Sequence, residues 1–70
     1  MKRGYGYTLV FTASGYGTDR TKYRTLKEAQ EAAEREAQEI AADHGGVVRR
    51  YGDDEWVVVA GEEIGRWEIR

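Results

Sequence analysis

The residues able to do covalent chemistry are few and poorly placed for it. His44 is the only histidine, Ser14 the only serine, and cysteine is absent. A serine nucleophile needs a base within hydrogen-bond reach. Here the serine falls in a loop and the histidine at a helix end, and no spacing joins them. His44 is read instead as the last residue of an apolar helix stripe, where protonation would favour the helix dipole. Without thiols, a disulfide scaffold, a zinc ribbon, an Fe–S cluster and thiol catalysis are excluded. Carboxylates gather at Asp53-Asp54-Glu55 and Glu62-Glu63, but the spacing of a calcium loop is missing. Gly-Asp-Asp before an alternating strand reads as a hairpin turn. The Gly15-Tyr16-Gly17 loop lacks Lys-Ser/Thr and leads into a polar segment, so it is not a phosphate loop. Carboxylate pairs for hydrolysis require a cleft, and 70 residues leave little room for one. The expectation is a protein without catalytic residues, metal, cofactor or small-molecule substrate.

Aromatic and basic residues are the more promising set. Tyr5, Tyr7, Tyr16, Tyr23, Tyr51, Trp56 and Trp67 accompany Arg20, Lys22, Arg24, Arg49, Arg50 and Arg66. A sheet displaying such residues stacks bases and contacts phosphates. Arg20, Lys22, Arg24, Arg49, Arg50 and Tyr51 are the candidate contacts for nucleic acid or a charged protein. Against nucleic acid stand a formal net charge of −2 and the lack of the basic footprint usual in such binders. Charge is segregated: the first 24 residues are basic, whereas the helix carries Glu28, Glu31, Glu34, Glu36, Glu39 and Asp43 against Lys27 and Arg35.

The elements that must position these groups form one small domain over residues 1–70, with a thin core. Hydrophobic content of 40% argues for a folded chain rather than a disordered one. Residues 5–13 alternate, with Tyr5, Tyr7, Leu9, Phe11 and Ala13 on one face. A turn at 14–19 leads to a polar return strand over 20–24. Thr25-Leu26-Lys27-Glu28 matches a capping box. Leu26, Ala29, Ala33, Ala37, Ile40 and His44 continue it as a helical stripe, ended by Gly45-Gly46. Strands are expected at 47–51, 55–60 and 66–70, with turns at 52–54 and 61–65. The fold class is α+β: an antiparallel sheet of four to five strands in the order β-β-α-β-β-β, with one helix on one face.

The strand at 55–60 is apolar on both sides: Trp56, Val58 and Ala60 on one, Val57 and Val59 on the other. Val10 likewise opposes Leu9. One helix covers one face, so Val10, Val57 and Val59 would form an exposed apolar patch. Such patches mark interfaces, and a homodimer is the simplest resolution. The alternative is that arginine stems and tyrosines cover these valines.

Thr25 to Ala29, Ala32-Ala33, the run His44-Gly45-Gly46-Val47-Val48 and Trp56-Val57-Val58 resemble small bacterial and phage ββαββ domains of unknown function. That resemblance covers most of the chain and implies no catalytic residues. Compact acidic domains of this style include phage-encoded inhibitors that occlude host machines such as CRISPR effectors. It implies a protein-interaction module. No stretch approaches the roughly 18 apolar residues of a membrane span, and Gly6, Thr8 and Thr12 interrupt any leader-like run after Met1-Lys2-Arg3. A cytoplasmic protein is expected.

Overall fold

The computed structural model describes residues 6–15 and 17–70. Lys2, Arg3, Tyr5 and Tyr16 lie outside them. Among the described residues the chain forms β1 (Tyr7–Ala13), β2 (Gly17–Tyr23), α1 (Leu26–His44), β3 (Val47–Tyr51), β4 (Glu55–Ala60) and β5 (Glu62–Ile69). This is the expected α+β order. The strands make one antiparallel sheet, ordered β2-β1-β5-β4-β3, so the first and last strands meet at its centre.

Local chemistry accounts for the helix limits. The Thr25 hydroxyl accepts from the Glu28 N–H at 3.1 Å, and the Glu28 carboxylate accepts from the Thr25 N–H at 3.3 Å. At the other end Gly45 sits at φ 65°, the left-handed cap that a side chain would strain. The next residue is constrained differently. A Cβ on Gly46 would lie 2.6 Å from the Val59 carbonyl oxygen, so only glycine lets the chain pass β4 this closely.

The helix packs by being thin. Ala29, Ala33 and Ala37 are fully buried, Ala32 and Ala41 nearly so. Their short side chains bring the helix axis down onto the sheet, where Trp56 and Trp67 fill the layer and are both 0% exposed. Phe11 stacks on Trp67 at 4.6 Å between ring centres, and the Trp67 indole donates to the Glu36 carboxylate at 3.1 Å. The expected stripe is therefore rotated. Ala32 and Ala41 belong to it, Leu26 and Ile40 are only half-buried, and His44 is exposed.

Two strands differ from expectation. The return strand begins at Gly17 rather than residue 20, because Ala13 pairs with Gly17 across a short loop. The last strand begins at Glu62 rather than residue 66. Gly61, at φ 80°, makes the reversal within one residue. A bulge in the β4–β5 pairing then absorbs Ile64, so Glu63 pairs with Val59 and Gly65 with Val58.

Candidate functional site

Register settles which side chains share the open face, away from the helix. Cross-strand partners lie on the same side of a sheet. One row runs Arg20, Val10, Glu68, Glu55, Tyr51, and the next Thr18, Thr12, Arg66, Val57, Arg49. Glu63, Val59 and Val47 continue the pattern toward one end. The face is a checkerboard of both signs with apolar residues between.

The valines expected to form a free patch do not. Val10 is 4% and Val57 3% exposed within the single chain. Val57 sits between Arg66 and Arg49, and Val10 between Arg20 and Glu68. The apolar stems of such long side chains cover a neighbour while their charged ends stay in water. Val10 and Val57 thus need no second copy to leave water, a correction to the reasoning that pointed to a dimer through them. Val59 is half-buried. Among the described residues the exposed large apolar side chains are Val47 at 55% and Tyr51 at 52%, both on the outer strand β3.

Arg66 organises the centre. Its guanidinium pairs with Glu55 and forks onto Glu63, at 2.9 Å and 3.2 Å to the two carboxylate oxygens. Hydrogen bonding from Arg66 holds the Glu63 carboxyl below the usual carboxylate range, and the same bond pushes the guanidinium pKa further up. With Arg49, Tyr51, Val57 and Val59 these groups line a shallow depression of about 550 Å³.

The candidate basic contacts are divided by the sheet. Arg20 and Lys22 belong to β2, Arg49, Arg50 and Tyr51 to β3, and Arg24 follows β2. The two outer strands are four spacings apart, about 19 Å, with Glu55, Glu63 and Glu68 between them. Arg50 points to the helix side. Its guanidinium lies 5.2 Å from the Trp56 ring centre, donates to the Gly52 carbonyl and pairs with Asp53 at 3.6 Å. It is a packing residue. Trp56 and Trp67 are sealed in the core, and Tyr7 and Tyr23 pack against it. Among the described residues, Tyr51 is the tyrosine left exposed for stacking on a ligand.

Sequence reasoning missed a second depression. Phe11, Ile40 and Ile64, with Asp19, Glu62 and Glu63, surround a groove of about 550 Å³ where the end of α1 meets the β1–β2 and β4–β5 turns. Three distant segments supply it, so no spacing reveals it. The unexpected bulge at Ile64 was its one local trace.

Comparison of the chain with protein-family models, with curated proteins and with solved structures gives no match. Among the described residues no helix is long and apolar enough to cross a membrane, and no cluster of three or more His, Cys, Asp or Glu residues could hold a metal ion.

Proposed function

We propose that the chain is a non-enzymatic protein-interaction module: a cytoplasmic inhibitor or adaptor of the small phage or mobile-element type. It works by binding and occluding a host macromolecular machine, for example a CRISPR effector. The observation that carries this reading is the open face of the sheet. It alternates charges of both signs around Arg66 and offers Tyr51 and Val47 at its β3 margin. Interleaved charge of both signs matches the polar rim of a protein interface, and an exposed tyrosine is a common anchor there. Occlusion needs only area and shape, which a chain without catalytic groups can supply.

A nucleic-acid-binding sheet is the alternative, favoured by Arg49 beside Tyr51 on one strand. Three glutamates on the same face repel phosphates, and the buried tryptophans give bases nothing to stack on. Self-association is a further proposal within the first reading. Its contact set is Val47, Tyr51 and Val59, not Val10 and Val57.

The test is affinity capture from extract of the source cells with wild type and an Arg49→Glu/Tyr51→Ala variant, each with and without nuclease. A partner that resists nuclease and is lost with the variant supports the proposal. Capture abolished by nuclease, with salt-sensitive anisotropy on mixed-sequence DNA or RNA, replaces it with the alternative. A partner held equally by the variant overturns the assignment of the open face. Light scattering reads self-association directly: a mass of 8.0 kDa, that of one chain, excludes it.

A further inference from the structure

Of the surface depressions, those along α1, on the open face and beside Tyr7, Leu26 and Ile69 each mix charges of both signs. The one along the outer side of α1 sets Lys27, Arg35 and Arg50 against Glu31 and Glu34. The open-face depression sets Arg49 and Arg66 against Glu55 and Glu63. The groove at the end of α1 does not. Among the described residues no lysine or arginine lines it, and His44 is its one basic side chain. Glu63 is held by Arg66, whereas Asp19 and Glu62 enter none of the ion pairs among the described residues. The helix also ends here, and the last carbonyls of a helix carry partial negative charge. Beside these carboxylates, Ser14 and His44 the groove has an apolar part, Phe11, Ile40 and Ile64, each half-buried against the core.

We infer that this groove binds a basic amphipathic segment of a protein partner, an arginine or lysine side chain whose stem lies along Ile40 and Ile64. The two halves of such a side chain need opposite surroundings, and the groove supplies both. Methylenes leave water against the floor, and the cationic end reaches Asp19 and Glu62 at the rim. Its volume of about 550 Å³ suits a side chain with a short length of backbone. A polyanion is refused by the same rim. The groove lies on the helix side of the sheet, and the inference stands whether or not the open face binds anything.

The probe is a synthetic hexapeptide of alternating leucine and arginine, followed by backbone-amide chemical shifts. Saturation below about 1 mM is expected, with shifts concentrated at Ala13, Ser14, Ile40, His44 and Ile64. Peptides alternating leucine with glutamate, or serine with arginine, should bind several-fold more weakly. Glu62→Lys should weaken binding about fivefold or more, whereas Glu31→Lys, the same change in net charge on the back of α1, should change it less than about twofold. Both positions are exposed, so both variants keep the fold, and the same spectra verify it. Equal weakening by the two variants, shifts on the open face or along the back of α1, equal binding of the serine–arginine peptide, or no saturation would each overturn the inference.

Discussion

The two faces of the sheet use the same strands and solve opposite problems. On the helix side, neighbours were made small: five alanines let a helix settle onto two tryptophans. On the open side, neighbours were made long: Arg49, Arg66, Arg20 and Glu68 flank Val57 and Val10. Both devices take valine out of water. An apolar residue facing away from the helix therefore does not mark an interface by itself. What stands beside it in register decides.

The harshest way to break this comparison is to charge the helix side. Ala33→Glu places an unpaired carboxylate where no side-chain volume exists, at 0% exposure. It should cost more than about 3 kcal/mol, enough to unfold a small domain in a urea titration. Next come paired truncations on one strand. Val58→Ala, on the helix side, should cost about 2–3 kcal/mol, and Val57→Ala, on the open side, about 1–2 kcal/mol. If Val57 were buried only in a dimer, its loss would instead depend on protein concentration. A finer test joins Val57→Ala with Arg66→Ala. If the arginine stem covers the valine, the pair should depart from additivity by about 0.5 kcal/mol or more. The smallest effect is electrostatic. Because the Glu63 pKa is depressed in the folded state, its contribution is present above the ordinary carboxylate pKa and is lost as pH falls through the folded value. Glu63→Gln should lower stability slightly at neutral pH and leave it unchanged below the folded pKa, so the acid limb flattens a little; the loss is small because exposed pairs contribute little.

Much of this was legible in the chain. β3 and β4 were expected at the bounds they have, because β-branched and aromatic runs end in turn residues there. The helix caps were legible because Thr25, Glu28 and Gly45 each have a specific hydrogen-bonding or conformational role. The helix phase was less so, since alanines scattered around a helix say little about which of them face inward. Glu62 and Glu63 were taken for turn residues, because a bulge breaks the alternation that announces a strand. Arg49 and Arg50 looked equivalent in sequence, but adjacent strand positions face opposite ways, and only one of them remains on the open face. The groove was invisible, since Phe11, Ile40 and Ile64 meet only after the sheet has closed.

That closure has a consequence for how the molecule is made. β1 with β2, β3 with β4 and β4 with β5 are local hairpins, whereas the pairing of β1 with β5 joins the two ends of the chain and sets Leu9 against Ile69. Contacts of such long range form slowly, because loop entropy is lost before they are gained. Until β1 and β5 dock, each presents an unpaired strand edge, and an open edge is a template for any strand that fits. At high concentration the fitting strand can be the β5 of another molecule. Exchange of that strand between copies is then the characteristic misfolding route of this topology, and dilute refolding is the condition that suppresses it.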